Sequence, residues 1–312
     1  MRQKFNSMRQ LVPVVLLVAL ITSVTLATNT VSGGKGNGKI AFVSNRDNVE
    51  RIYTMNPDGS GLTRLTDGPH QLQPAWSPDG TKIAYMDTLK NATALYLMNA
   101  DGSNSRLLTN NIFHNVNLAW SPDGTKIAFC SVTPHPGSSS TFSLHVINAD
   151  GSNEVSLVDG SGSPTWSPDG KQIAFTTFQG IDVINADGTN RRQLARLSSW
   201  VLTSLAWSPD GKEIVFGSIR PSGDQESAKS RFTIETISAD GSDGNKARSL
   251  GYGRKPSWSP DGSQIIFEQP GANGSLTQIW VMSRDGKRRT QLTDTGTNWS
   301  PSWQPLVATK ST

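Results

Sequence analysis

From residue 39 onward, apolar residues come in runs of three to six, broken by turn residues. The runs are rich in Ile, Val, Phe and Leu, and their lengths predict short β-strands rather than helices. Long amphipathic helical stretches are absent after residue 30. The runs recur in a fixed order. A first piece ends at a tryptophan, as in "QLQPAW". A second reads "KIAYM", "KIAFC", "QIAFT", "EIVFG" or "QIIFE". A third reads "ALYLMN", "SLHVIN", "GIDVIN", "TIETIS" or "QIWVMS", and a fourth "RLLT", "VSLV", "RQL", "RSL" or "QLT". The tryptophans stand at 76, 120, 166, 207, 258 and 303, between 41 and 51 residues apart. Four short antiparallel strands in a repeat of this length predict one propeller blade.

The ends of the pattern complete each other. The first repeat begins at its second piece, "KIAFVS" at 39, and "TNWSPSWQP" at 297–305 is a first piece without followers. Joined, they make a sixth blade and leave no open sheet edge. The expected fold is all-β, a six-bladed propeller of four-stranded antiparallel blades over 39–306, closed by strands from both termini.

Each repeat carries the turn W-S-P-D-G or its variant. Proline presets the first corner, Asp takes the second and Gly the left-handed position. The pairs Asp79–Gly80, Asp123–Gly124, Asp169–Gly170, Asp210–Gly211 and Asp261–Gly262 therefore read as scaffold. One catalytic centre does not need five copies. The residue before each repeat tryptophan is small: Ala75, Ala119, Thr165, Ala206, Ser257, Ser302. Proline stands two before it at Pro74, Pro164, Pro256 and Pro301. Proline suits an edge strand, which places this piece on the central channel.

Residues 1–27 differ in kind. Arg2, Lys4 and Arg9 precede the apolar "LVPVVLLVALITSVTL", and Thr25 and Ala27 offer small residues for cleavage. This reads as a secretory signal peptide, followed by a short linker at 28–38 and ended by a tail at 307–312. The apolar run is short for a membrane span, so export without a stable span is expected, to the periplasm or outside the cell. Without the leader, 26 Lys and Arg face 25 Asp and Glu. That balance does not suit nucleic acid. The single cysteine, Cys130, lies in an apolar run and reads as a small buried hydrophobe.

Blades of the form P-x-W-S-P-D-G…I-A-F…M-N-x-D-G…R-L-T resemble the PD-type, WD40-like propeller repeats of the TolB family. The resemblance spans 39–306. It implies an envelope-associated, protein- or peptide-binding propeller, monomeric and without a cofactor. The family's namesake carries an α/β domain ahead of its propeller, and the short 28–38 segment leads us to expect the propeller alone. Similar propellers precede prolyl-oligopeptidase-type hydrolases, but no G-x-S-x-G elbow is present.

Turns between first and second, and third and fourth, pieces are uniform and share one face. The connections on the other face vary, and loops on a rigid scaffold usually carry binding. The candidates there are His70, Phe113, His114, Trp200, Arg220, Tyr252, Arg254 and Trp299. Aromatic residues with polar tips suit peptide or sugar contacts. The histidines come from separate repeats, so no metal site is expected. A carbohydrate-active enzyme, or a glycan-binding wall module, stays open beside the protein-binding reading.

Overall fold

The computed structural model describes residues 37–89, 92–112, 117–133, 141–160, 162–197, 201–219, 232–244, 246–271 and 276–305. The first blade contains β1 (Ile40–Ser44), β2 (Arg51–Met55) and β3 (Thr63–Arg64). The second is β4 (Gln71–Trp76), β5 (Lys82–Leu89), β6 (Ala92–Asn99) and β7 (Arg106–Ile112). The third is β8 (Leu118–Trp120), β9 (Lys126–Thr133), β10 (Thr141–Asn148) and β11 (Val155–Asp159). The fourth is β12 (Gly162–Trp166), β13 (Gln172–Thr177), β14 (Gly180–Asn185) and β15 (Arg192–Arg196). The fifth is β16 (Val201–Trp207), β17 (Glu213–Ile219), β18 (Phe232–Ser238) and β19 (Arg248–Tyr252). The sixth is β20 (Arg254–Trp258), β21 (Gln264–Gln269), β22 (Gln278–Ser283) and β23 (Arg289–Gln291). The last strand, β24 (Asn298–Trp303), pairs antiparallel with β1 and completes the first blade. The architecture is an all-β, six-bladed propeller.

Burial grades outward along each blade. The second strands are covered on both faces, since each blade is packed between two others. All five residues of β1 are buried, as are five of the six in β21. This explains why these pieces read as continuous apolar runs. The fourth strands are the more exposed: both residues of β3 are exposed, as are three of the five in β15. One aromatic ring per blade anchors the packing: Phe42, Tyr85, Phe129, Phe175, Phe216 and Phe267, each at most 3% exposed.

At five of the six joints the small residue before the tryptophan receives the next blade. The Trp120 indole Nε1 donates to Ala75 O (3.0 Å), Trp166 to Ala119 O (3.2 Å) and Trp258 to Ala206 O (3.2 Å). At two of the three positions where the small residue has a hydroxyl, that group is used instead. Thr165 Oγ1 accepts the backbone N–H of Trp207 (3.1 Å), and Ser302 Oγ accepts that of Trp76 (3.4 Å).

In the repeat turns, Ser121 Oγ donates to Asp123 Oδ1 (2.6 Å), and the Thr125 N–H donates to the same oxygen (3.0 Å). Gly124 closes the turn at φ 72°. The other four blades with this motif repeat the serine–aspartate bond. The Ser121 hydroxyl and the Thr125 N–H hold the Asp123 carboxyl below its ordinary range. In a third-to-fourth-strand turn, the Ser238 and Ser242 hydroxyls bring Asp240 down to about 2. A carboxylate whose pKa falls on folding adds stability above its unfolded pKa and loses it as pH drops through the folded value. The urea midpoint is therefore expected to be flat above roughly pH 5 and to fall between about pH 4 and pH 2. Urea melts across that range check this. The Phe216→Ala variant, which empties a core position, is expected to lose about 3–5 kcal/mol in the same assay at neutral pH.

Candidate functional site

The six first strands, β4, β8, β12, β16, β20 and β24, are each bonded to one neighbour only, and their free edges line the axis. Four of them contain an irregularity at the proline. Pairing skips from Leu72 to Ala75, from Gly162 to Thr165 and from Arg254 to Ser257, and β24 skips opposite Ala41 and Val43. In each skip the residue before proline is left-handed: Gln73 (φ 52°), Ser163 (36°), Lys255 (49°) and Ser300 (51°). A side chain in that region costs about 1–2 kcal/mol. Bulges re-aim side chains, and held strain gathers at sites. Here Gln73, Lys255 and Ser300 line the axial cavity. In the fifth blade the skip leaves Thr203 unpaired, and Ser204 lines the cavity beside it.

The cavity has a volume of about 120 Å³. Its polar collar is formed by Gln73, Asn117, Ser204, Lys255 and Ser300. Beneath it lies an apolar ring of Pro74, Pro164, Pro256, Pro301, Leu118 and Leu205. Small residues follow, including Ala75, Ala206, Ser257 and Ser302. Ligand pockets commonly reach roughly 300–1,000 Å³, so this one suits a single side chain rather than a large molecule.

Hydrogen bonds divide the collar. On one side Asn117 Nδ2 donates to Ser163 Oγ (2.7 Å) and to Thr203 O (3.3 Å), so the third blade reaches the fifth. Ser163 Oγ also donates to Thr203 O (3.1 Å). On the other side stands Glu268, 0% exposed. Its carboxylate accepts Arg254 Nε (2.7 Å) and the Ser300 N–H (2.7 Å), with Lys255 Nζ at 3.4 Å. Lys255 Nζ also donates to Ser300 Oγ (3.1 Å). Two cations thus share one buried carboxylate. Between the halves, the buried Gln73 Oε1, Thr203 Oγ1 and Ser204 Oγ make no hydrogen bond within the chain. Such orphaned polar atoms are uncommon in a folded interior.

Of the eight candidates read from sequence, Phe113, His114, Trp200 and Arg220 lie outside the described residues. Arg254 stands beside the collar through Glu268, its guanidinium 5.5 Å from the Phe232 ring centre. Tyr252 is on an outer strand, where its hydroxyl donates to Pro270 O (3.1 Å) and ties the fifth blade to a loop of the sixth. Trp299 is partly buried on β24 next to Ser300. His70 is exposed, with Nδ1 3.1 Å from Glu50 Oε2. His145, in β10, stacks on Phe129 and has Nδ1 3.1 Å from Glu154 Oε1. Among the described residues no three His, Cys, Asp or Glu side chains gather as metal ligands.

Sequence reasoning missed Gln73, Asn117, Ser163, Ser204, Lys255, Ser300 and Glu268. Their signal was faint. The first six precede the proline or leucine of the first strand, a position that varies among repeats. Glu268 falls where the other second strands carry Val43, Met86, Cys130, Thr176 and Gly217. A charge in an apolar column was the visible anomaly. Asp87 is a second buried carboxyl, one position beyond that column in the second blade. Burial pushes its pKa up, against a hydrogen bond from Gln71.

A TolB crystal structure from Acinetobacter baumannii superposes with a TM-score of 0.70 at 22% identity, covering 86% of this chain and 67% of that one. The fold is that of a TolB-like propeller. A nidogen/laminin complex gives a TM-score of 0.67 at 11% identity, covering 86% of this chain and 98% of that one. An oligogalacturonate lyase in complex with manganese gives 0.56 at 16% identity, covering 81% and 73%. At these identities the likeness is one of fold. No family model matches the sequence, and no curated protein matches it.

The Glu268→Ala variant leaves Arg254, Lys255 and the Ser300 N–H without their shared acceptor. Both cations are about 30% exposed, so water recovers part of the loss. A destabilisation of about 2–3 kcal/mol is expected, below that of a fully buried pair. Denaturant melts of the variant and of Glu268→Gln, which keeps the shape, measure it.

Proposed function

We propose that this chain is an exported, non-catalytic propeller that binds a protein or peptide of the cell envelope at the channel mouth and the variable loops around it. The observation that carries the reading is the collar: strained backbone, buried polar atoms without partners, and a cavity too narrow for most small molecules. A protruding segment of another chain supplies both the hydrogen bonds and the slender shape. The TolB-like fold supports a protein partner. The leader at 1–27 supports export, and among the described residues no helix is long and apolar enough to cross a membrane.

The test is capture on immobilised protein beginning at residue 28. Envelope extract is passed over the wild type and over Ser204→Trp, which fills the cavity. A protein held by the wild type and released by the variant is the expected result. Equal capture by both removes the mouth from the reading. The same two proteins are assayed on a uronate polymer with and without manganese, and turnover by the wild type favours a lyase instead.

A further inference from the structure

We infer that the channel mouth takes the carboxyl-terminal residue of a partner polypeptide, with its free carboxylate on Lys255 and its apolar side chain in the proline and leucine ring. This rests on the reading of the mouth as a protein-binding site and specifies what enters it.

The charge is the first argument. Lys255 is the charged residue of the described lining. Its counter-ion Glu268 is already shared with Arg254 and with the Ser300 N–H. One carboxylate against two cations leaves the mouth positive, and a second carboxylate restores the balance. Asp87 does not line the cavity, and burial raises its pKa, which weakens its opposing charge.

The hydrogen-bonding groups are the second argument. Ser204, 6% exposed, has an unpartnered hydroxyl able to donate to an anion. Gln73, 8% exposed, has an unpartnered Oε1 that can only accept. A carboxylate cannot satisfy Gln73, but the peptide N–H of the same terminal residue can. A chain terminus presents both groups about one Cα apart.

The apolar ring is the third. Pro74, Pro164, Pro256, Pro301, Leu118 and Leu205 offer no hydrogen bonds from their side chains. An aliphatic terminal side chain fills that ring, and the cavity of about 120 Å³ has room for little more. An internal Asp or Glu that set its carboxylate on Lys255 would have no second side chain on the same residue to fill the ring. A sugar would set hydroxyls against the same apolar wall.

The probes are fluorescein-labelled pentapeptides Gly-Ser-Gly-Ser-Leu as free acid and as carboxamide, and Gly-Ser-Gly-Ser-Lys as free acid, titrated by anisotropy. The leucine acid is expected to bind at least about tenfold more tightly than its amide, since charge-assisted bonds exceed neutral ones. It is also expected to outbind the lysine acid. Lys255→Gln is expected to abolish the acid-over-amide preference, and Lys255→Arg to keep most of it. Should Lys255→Gln fail to fold, judged by far-ultraviolet circular dichroism, the acid-to-amide ratio on the wild type decides alone. Equal binding of acid and amide overturns the inference, as does no saturable binding of the leucine acid. Capture of an envelope protein lost in Ser204→Trp, together with either result, leaves the mouth as a protein site and removes only the carboxylate.

Discussion

Ring closure is the constraint on which the rest of the structure depends. The middle strands of each blade are buried on both faces, so no blade can cover itself. Each needs a neighbour on either side, and only a closed circle supplies one to all. The closing bond is β24 with β1, where Trp303 lies opposite Ile40 and Ser302 opposite Ala41. One covalent chain thereby becomes a ring held by an antiparallel ladder. The Ser302 hydroxyl carries the joint onward by accepting the Trp76 N–H of the next blade.

Closure also makes the channel. Six first strands face one another around an axis, and their free edges cannot pair. Proline suits these positions because it brings no N–H to leave unbonded. The residue before it is left-handed at a bulge, and three of these four residues, Gln73, Lys255 and Ser300, line the cavity. The polar collar is thus a consequence of the way an edge strand is ended in this fold. What varies between blades is the chemistry mounted there: an amide, a hydroxyl or an ammonium. Five of the six such positions line the cavity, and the sequence dresses them unequally.

Glu268 shows how an individual departure acquires meaning. Five blades place an uncharged residue in that column. The sixth places a carboxylate, and it holds two cations and a strained backbone N–H at the mouth. Burying a charge is costly unless partners meet it, so the cost ties Arg254, Lys255 and Ser300 into one unit. The uniform face has a comparable joint of purely structural character. Arg284 there bridges Asp210 (2.9 Å) and Glu213 (2.7 Å) of the preceding blade, with its guanidinium 5.1 Å from the Trp258 ring centre.

The number of blades, their four strands, the serine–proline–aspartate–glycine turns and the closure by both ends were legible in the chain. Each depends on local rules: strand periodicity, the φ demands of Pro and Gly, and a repeat that lacks one piece at its start and carries it at its end. The site was legible only in part. Arg254 was visible as a charge in a variable connection, and Tyr252 was visible too, its hydroxyl tying the fifth blade to a loop of the sixth. Gln73, Asn117 and Lys255 lie in different repeats and come together only because the ring brings 73, 117 and 255 to one axis. No spacing along the chain encodes that distance. The sequence by itself determined the strands and their order, because those follow from neighbours in the chain. The tertiary structure decided the cavity, its orphaned hydrogen-bonding atoms and its unbalanced charge, because those arise where six edges converge.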